Sequence, residues 1–432
     1  MQTIKPLLAI LLLLLALFAG ACHDQNDDPS TGSGQADDDA ATDDDDNDDD
    51  NDDDDTAEPP PGEEDYFVVG PATLIEAAAP LLGHHGGAGK NVVPLDLDAL
   101  SGASGSIELA EQVRGFLQDL HDPNRRQYVL ILGGQHTLPA MYLDPDPNWP
   151  GLYAGLSDVY YSDLAGDFDF DGDGNFGEWA DDVYDYAPEM FVGRLPFDDP
   201  VEVARVAAKI VAFATADADH KWDTLLAAAN IAISGDAAII MEMMRRWVIA
   251  PNAYDCWTMY EAGGFIEPDQ TLSHEAFVSR VADQPPGLAV WASHGDSYCA
   301  YADGPIVCNT DAALFDDARP GVMMSSGCRN ADLSKEENLG AALLARGAVA
   351  FVGSTTVTDP GLLGEGSVVF LVMIDRTING NAPLGVALAA ARGRYMELFF
   401  QPDGFYDVGL FWMNFFGFTL FGDPAMRYWA DE

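Results

Sequence analysis

The chain has 432 residues and a formal net charge of −52, from 72 acidic and 20 basic residues. Such a charge argues against nucleic acid as a partner, because a negative protein surface repels phosphates. It favours cationic substrates and divalent metals, although a merely soluble surface has the same composition. The length is sufficient for a sizeable core, or for two packed units.

Residues 1–22 have the pattern of an export signal rather than of folded structure. Lys5 precedes an apolar run from Leu7 to Phe18 that is too short to span a bilayer. Small residues then lead to Cys22, as in a bacterial lipobox, whose cysteine is lipidated. We therefore predict an exported bacterial lipoprotein, anchored through Cys22 at the outer membrane or cell surface. The alternative is an ordinary secretion signal that is cleaved near the same point.

Residues 23–65 have the composition of an unfolded tether. They contain 21 of the 72 acidic residues and no Lys or Arg. Such a run repels itself and offers no core to offset the entropy of ordering. We predict an extended spacer that holds the following domain away from a membrane. Calcium collection is the weaker alternative, because nothing in the run fixes a coordination geometry.

From Tyr66 onwards, strand and helix patterns alternate, which is typical of a doubly wound parallel sheet. His84 and His85 fall in a Gly-rich stretch that predicts a solvated turn, and contact with a metal is the weaker alternative. We assign an N-terminal α/β subdomain to residues 66–218. Its predicted strands are 67–70, 91–95 and 127–132, and its predicted helices are 72–82, 107–120 and 201–215.

An acidic stretch within this subdomain resembles a calcium-binding loop. Asp169, Asp171, Asp173 and Gly174 match positions one, three, five and six of such a loop, whereas position twelve is Ala180 rather than the bidentate Glu. The loop is therefore not an EF-hand. Because closely packed carboxylates repel one another without a cation, we predict Ca²⁺ here, with an empty acidic loop as the alternative. The predicted ligands are Asp167, Asp169, Asp171, Asp173, Asn175 and Glu178.

Residues 219–432 are predicted to form a second, catalytic α/β subdomain. Two of its apolar runs, 287–292 and 320–325, stop abruptly beside glycine, just before His294-Gly295 and Gly327-Cys328. Short apolar runs bounded by turns indicate buried strands of a parallel sheet, whose carboxyl ends carry catalytic groups. We therefore expect His294 and Cys328 to meet at one edge. Further predicted strands are 226–233 and 255–260, and predicted helices are 237–248 and 273–281.

This pair of side chains predicts acyl transfer through a thiol. A cysteine needs a base to become a nucleophile, and an imidazole is the usual one. The Cys328 sulfur would attack a peptide carbonyl, and His294 would protonate the leaving amine. The main-chain N–H groups of Gly295 and Cys328 are the predicted oxyanion donors, since both lie at turns where strands end. The sequence does not identify a third group that orients His294.

The remaining cysteines differ in their predicted roles. Cys299 and Cys308 lie nine residues apart in the loop after His294. In an exported protein they could form a disulfide that stiffens this loop. Cys256 is predicted to be a buried strand residue.

Several motifs, in this order, resemble the caspase-like cysteine peptidases, and most closely the gingipain family. The similar segments are 126–134, 186–196 with its Gly-Arg-Leu-Pro ending, the His-Gly and Gly-Cys blocks, 348–355, and 420–424 with its Phe-Gly-Asp-Pro. The resemblance implies a caspase-like fold of mostly parallel sheets flanked by helices, in two packed subdomains. It implies a cysteine endopeptidase acting on protein or peptide substrates.

The resemblance also implies a role for Asp185. Arginine-specific gingipains carry an acid at this place, facing the basic side chain of the substrate, so cleavage after Arg or Lys is predicted. The alternative is a calcium-binding or capping carboxylate. Relatives of this type also bind calcium.

Two other functions remain open at this level. A sortase-like transpeptidase of the same fold differs only in whether an amine or water resolves the acyl enzyme. A catalytically idle, calcium-stabilised surface binding module is disfavoured by the intact His-Gly and Gly-Cys blocks. The natural substrate, the activation mechanism and the oligomeric state are not specified by the sequence.

Overall fold

The computed structural model describes residues 64–100, 104–146, 148–184, 187–231, 235–359, 366, 368–400 and 408–430. The export signal, Cys22 and almost all of the predicted tether lie outside these residues. Within them, no helix combines the length and the apolar character needed to cross a lipid bilayer.

The described chain is built from strands and helices that alternate over most of its length. The strands are β1 (Glu64–Gly70), β2 (Asn91–Asp96), β3 (Arg126–Leu132), β4 (Met141–Leu143), β5 (Gly155–Ser157), β6 (Phe191–Leu195), β7 (Asp223–Ala228), β8 (Asn230–Ile231), β9 (Gly235–Asp236), β10 (Asp255–Tyr260), β11 (Gln270–Thr271), β12 (Leu288–Ala292), β13 (His294–Gly295), β14 (Cys299–Tyr301), β15 (Pro305–Cys308), β16 (Gly321–Ser325), β17 (Ala348–Ser354) and β18 (Phe418–Phe421). The α-helices are α1 (Ala72–Ala77), α2 (Ala79–Gly87), α3 (Ile107–Leu120), α4 (Pro200–Thr215), α5 (Ala238–Met244), α6 (His274–Asp283), α7 (Leu339–Ala345), α8 (Val368–Ile374), α9 (Leu384–Phe399) and α10 (Val408–Gly417).

Within the described ranges, eleven of these strands form one sheet, in the order β11-β10-β7-β12-β16-β17-β18-β6-β3-β1-β2. Neighbouring strands are parallel except at β17–β18, which is antiparallel. The central strands β12, β16 and β17 are buried along their whole length. Strands covered on both faces show continuous apolar runs rather than alternation, as a helix-flanked parallel sheet requires. The predicted caspase-like α/β fold is confirmed.

Local sequence explains several helix boundaries. The Ser106 side chain accepts a hydrogen bond from the Leu109 N–H and so caps α3. The helix predicted at 72–82 is instead two short helices, and Pro80 lies in the first turn of α2. A proline lacks the N–H that would continue a preceding helix, but it is well tolerated where a new one begins.

The two predicted subdomains contribute strands to the same sheet. The strand β6, from the first, pairs with β18, from the second, through Arg194 and Phe421. A Cβ on Gly193 would lie 2.5 Å from the Gly422 carbonyl oxygen, so this close approach requires glycine. The Gly-Arg-Leu-Pro and Phe-Gly-Asp-Pro motifs are therefore in direct contact.

Arg194 is fully buried beside this contact. Its Nε and Nη2 donate to the two Asp158 carboxylate oxygens at 2.9 and 2.6 Å, and its Nη1 donates to the Gly133 and Leu138 carbonyls. Four of the five N–H donors of this buried guanidinium therefore have acceptors, two of which are carboxylate oxygens. The motif arginine is thus a structural anchor.

The prediction for His85 is wrong. It lies in α2 and is only 3 % exposed, and its ring pairs with Asp423 at 2.7 Å while the Tyr66 hydroxyl donates to the same carboxylate. Burial acts to raise the pKa of Asp423, but His85 and the hydrogen bonds from Ala425 N–H and Tyr66 hold that pKa below its ordinary value. The partner of His85 lies 338 residues away, which no local pattern could show.

We expect Arg194→Ala to be strongly destabilising, because it leaves the Asp158 carboxylate buried without its partner. Breaking one side of a buried pair typically costs about 3–5 kcal/mol. The measurement is the midpoint and slope of urea-induced unfolding. Arg394→Ala is the matched control, since its pair with Glu397 is exposed and is expected to contribute less than about 1 kcal/mol. Equal unfolding curves for the two variants would contradict this account.

Candidate active site

His294 and Cys328 follow two neighbouring strands. The strands β12 and β16 are parallel, with Trp291 opposite Ser325 in the last pair. The Ser326 N–H then donates to the Trp291 carbonyl at 3.1 Å. Both chains therefore leave the sheet at the same edge, which is where the sequence placed the two side chains.

The two turns are in main-chain contact. A Cβ on Gly295 would lie 2.6 Å from the Cys328 carbonyl oxygen and 2.9 Å from its nitrogen. A Cβ on Gly327 would lie 3.1 Å from the His294 carbonyl oxygen. Only glycine permits backbones to approach this closely, so both positions bring His294 and Cys328 together. The main-chain atoms of Gly295 and Cys328, the predicted oxyanion donors, are adjacent.

The side chain of Asn330 is hydrogen-bonded to both turns. It is fully buried, and its amide oxygen accepts from the Ser325 hydroxyl at 2.6 Å. Its amide nitrogen donates to the carbonyls of Asp296 at 2.8 Å and Cys299 at 3.1 Å. One side chain therefore joins the turn after β16 to the turn after β13. The sequence showed only an asparagine in a turn and gave no sign of this role.

The Cys328 thiol is half-buried beneath the segment that follows β17. The Thr358 N–H points at the sulfur with an N···S distance of 3.4 Å, and the Thr358 hydroxyl oxygen lies 3.6 Å from it. That hydroxyl also bonds the Ser326 carbonyl at 2.8 Å. The segment is held by Asn414 of α10, which exchanges hydrogen bonds with the main chain of Asp359. Sequence reasoning missed Thr358, whose position depends on α10.

His294 is exposed at the mouth of the site. Its strand β13 pairs with β14, which in turn pairs with β15. Among the described residues, no side chain is hydrogen-bonded to the His294 ring. The group that orients the ring is therefore not identified within this part of the chain.

A disulfide closes the β14–β15 hairpin beside the site. Cys299 and Cys308 are opposite each other and are bonded, with a Cα–Cα distance of 4.1 Å. The Asp296 carboxylate accepts hydrogen bonds from the Tyr298 and Cys299 N–H groups and from the Tyr301 hydroxyl. Burial acts against ionisation, but these donors hold the pKa of Asp296 below its ordinary value. The hairpin that carries β13 is thus stiffened covalently and by hydrogen bonds.

The acidic loop brings three of its predicted ligands together. One carboxylate oxygen each from Asp169, Asp171 and Asp173 lies within 4.8 Å of the others. Gly172 and Gly174 have φ of 75° and 86°, the left-handed conformation that lets the chain curl back. This arrangement fits a hard cation that prefers carboxylate oxygens.

Glu178 faces the same cluster. It is 6 % exposed, and its burial, together with the negative charges of Asp173 and Asp182, raises its pKa to about 6. Asp182 accepts three main-chain hydrogen bonds, from Phe170, Gly177 and Glu178, and so holds the loop closed.

The other two predicted ligands lie differently. Asp167 is exposed and its main chain pairs with Val183, while the side-chain amide of Asn175 donates to Asp173 at 2.7 Å. The three-carboxylate cluster does not include either of them. Asp185 lies outside the described residues.

Comparison with known proteins decides the family. A family model described as "Peptidase family C25" matches residues 59–429. The chain belongs to peptidase family C25. This is the gingipain family that the motifs resemble, and the protein is a cysteine endopeptidase. None of the curated proteins compared with the chain matches it significantly.

Three solved structures share the fold of this C25 peptidase. One is described as "Structure of Protease", with a TM-score of 0.65, 13% identity, and coverage of 84% of this chain and 78% of its own. The Arg-specific cysteine proteinase gingipain R superposes with a TM-score of 0.63 at 14% identity, covering 85% and 78%. The complex of the Porphyromonas gingivalis RgpB pro- and mature domains gives 0.61 at 15% identity, covering 84% and 79%.

Proposed function

We propose that Cys328 is the nucleophile of this C25 peptidase and that His294 is its general base and acid. The supporting observation is the contact between the Gly295 and Cys328 main chains at the end of two paired strands. A second supporting observation is the Thr358 N–H, which points at the sulfur with an N···S distance of 3.4 Å.

The reaction follows from this geometry. The thiol proton passes to His294, and the sulfur attacks the substrate carbonyl carbon to form a tetrahedral intermediate. Its oxyanion is placed beside the main-chain N–H groups of Gly295 and Cys328. His294 returns the proton to the leaving amine, the C–N bond breaks, and a thioester remains. Water then attacks the thioester and releases the acid and the free thiol.

We expect Cys328→Ala and His294→Ala each to lower kcat/KM on a cleaved peptide by more than about 10³-fold, because neither the sulfur nor the imidazole has a substitute. Both side chains lie at the surface or half-buried, so the thermal midpoint should stay near that of the wild type. Cys256→Ala is the matched control: burial raises the pKa of that thiol to about 12, and it should be dispensable. Retained activity in Cys328→Ala would show that another group is the nucleophile.

We also propose that the acidic loop binds Ca²⁺. Asp169, Asp171 and Asp173 would be ligands, and the Glu178 carboxylate, whose pKa is raised by the negative charges of the same cluster, would be stabilised by the cation. The ion would serve structure rather than the reaction, because the loop supports the segment that leads to β5: the Phe176 carbonyl accepts the Asp144 N–H at 2.8 Å.

Calcium in excess should raise the thermal midpoint and a chelator should lower it. A ligand that binds only the folded state stabilises by about 2.7 kcal/mol at one hundred times its dissociation constant. Asp171→Asn should weaken this response, while Asp119→Asn, on the exposed face of α3, should leave it unchanged. Identical melting curves with calcium and with chelator would rule out the site.

We propose that the peptidase cleaves after Arg or Lys and that Asp185 pairs with this basic side chain. The support is the resemblance of 186–196 to the gingipain segment and the negative charge of the chain, which attracts cationic peptides.

Asp185→Asn should lower the preference for Arg over neutral residues by roughly 30-fold to several thousand-fold, corresponding to about 2–5 kcal/mol for one lost partner. A substrate library measures this ratio, and Asp181→Asn, in the same acidic segment, is the control. If Asp185 instead binds calcium, the substitution lowers calcium affinity and leaves the ratio unchanged.

Finally, we propose that the mature protein is a lipoprotein of the outer membrane or cell surface. The support is the apolar run and small residues before Cys22. In the native host, Cys22→Ser should move the protein out of the membrane fraction or block its processing. Mass spectrometry of the mature N-terminus provides the check, and a wild-type terminus without acyl groups would contradict the anchor.

A further inference from the structure

The residue immediately after the proposed nucleophile has a charged side chain, and its backbone adopts an unfavourable conformation. Arg329 has φ of 58°. In the described ranges, the other non-glycine residues with a positive φ are Ala253 and Asn381, and both are uncharged. The left-handed region costs an L-residue roughly 1–2 kcal/mol, and glycine or asparagine would occupy it more easily.

The surrounding structure holds this backbone firmly. The Arg329 N–H donates to the Thr356 carbonyl at 2.8 Å, and the Asp332 N–H donates to the Arg329 carbonyl at 3.0 Å. The neighbouring Asn330 is fixed by its contacts to both turns. The conformation is therefore imposed by the turn that presents Cys328, and the arginine side chain is not needed to form it.

The Arg329 side chain is exposed. Within the described part of the chain, no hydrogen bond or ion pair engages its guanidinium. This contrasts with Arg194, Arg205 and Arg245, each of which pairs with a carboxylate. In a chain with a net charge of −52, an exposed cation that remains unpaired next to the reactive sulfur is available to an external anion.

Arg329 directly follows Cys328, and consecutive Cα atoms are about 3.8 Å apart, so its exposed side chain begins beside the residue that would hold the scissile peptide bond. We propose that Arg329 is a specificity-determining residue, whose guanidinium pairs with a substrate carboxylate close to the scissile bond. Arginine suits this because its fork matches a carboxylate through two parallel hydrogen bonds. The carboxylate is either an Asp or Glu side chain or the C-terminus of a short peptide. The inference rests on the assignment of Cys328 as nucleophile.

The test compares kcat/KM for matched peptides on the purified full-length protein. One set replaces Glu by Gln at each position flanking the cleaved bond, and the other pairs a free C-terminal acid with its amide. In Arg329→Gly, the acid-to-neutral ratio should fall about fivefold at low salt, as expected for one exposed ion pair. The effect should fade towards 1 M salt, where the Debye length is only about 3 Å. Arg329→Lys should retain part of the ratio, because it keeps the charge and loses the fork.

Two controls separate recognition from folding and from overall charge. Glycine relieves the left-handed strain, so the thermal midpoint of Arg329→Gly should not fall below that of the wild type, whereas a structural arginine would lower it. Arg319→Gln removes the same charge from an exposed position just before β16, at the opposite end of the strand from Cys328. It should leave the ratio unchanged.

The outcomes are distinct. A fall in the side-chain ratio identifies an acidic residue as the partner, and a fall in the acid-to-amide ratio identifies the peptide terminus. If both ratios are unchanged in Arg329→Gly while Cys328→Ala is inactive, the role of Arg329 is wrong and the nucleophile stands. If Cys328→Ala remains active, the nucleophile assignment fails, and this inference fails with it.

Discussion

The parallel pairing of β12 with β16 is the constraint on which the site depends. Parallel neighbours end at the same edge, so the chain segments that follow them must share a small space. Here the space is so small that a Cβ on Gly295 would lie 2.6 Å from the Cys328 carbonyl oxygen, and one on Gly327 would lie 2.6 Å from the Asn330 amide oxygen. The buried side chain of Asn330 lies beside both turns and donates to the Asp296 and Cys299 carbonyls, which joins the two turns to each other. The reactive groups are positioned by backbone contact more than by side-chain packing.

Support for this edge comes from distant parts of the chain. The Thr356 hydroxyl donates to the Ala154 carbonyl at 2.8 Å, which ties the segment over Cys328 to the chain entering β5. The same region connects back to the acidic loop through the Trp179 N–H and the Pro145 carbonyl. The loop proposed to hold calcium is therefore linked to the segment over the sulfur by a short series of hydrogen bonds.

The sequence predicted best the features that depend on residues close together in the chain. Apolar runs and glycines placed α3, β12 and β16 within a residue or two, and parallel-sheet logic placed His294 beside Cys328. It failed where a role depends on a partner far along the chain. His85 looked like a solvated turn because Asp423 lies at the other end of the domain. Thr358 carries no motif, and its position is set by Asn414, 55 residues from its neighbour Asp359.

The sulfur chemistry of one small region sets limits on where this peptidase can operate. Cys328, the proposed nucleophile, must be a free thiol to act in that role, while Cys299 and Cys308, in the hairpin beside it, form a disulfide. Reducing surroundings break the disulfide of the β14–β15 hairpin, with which β13 and His294 pair, and oxidising surroundings convert an exposed thiolate to sulfenic acid or a mixed disulfide. With Cys328 as nucleophile, the redox potential at which the peptidase works would therefore be bounded on both sides. A reductant added to protect the nucleophile acts on both sulfur sites, so its concentration is itself a variable of any activity measurement.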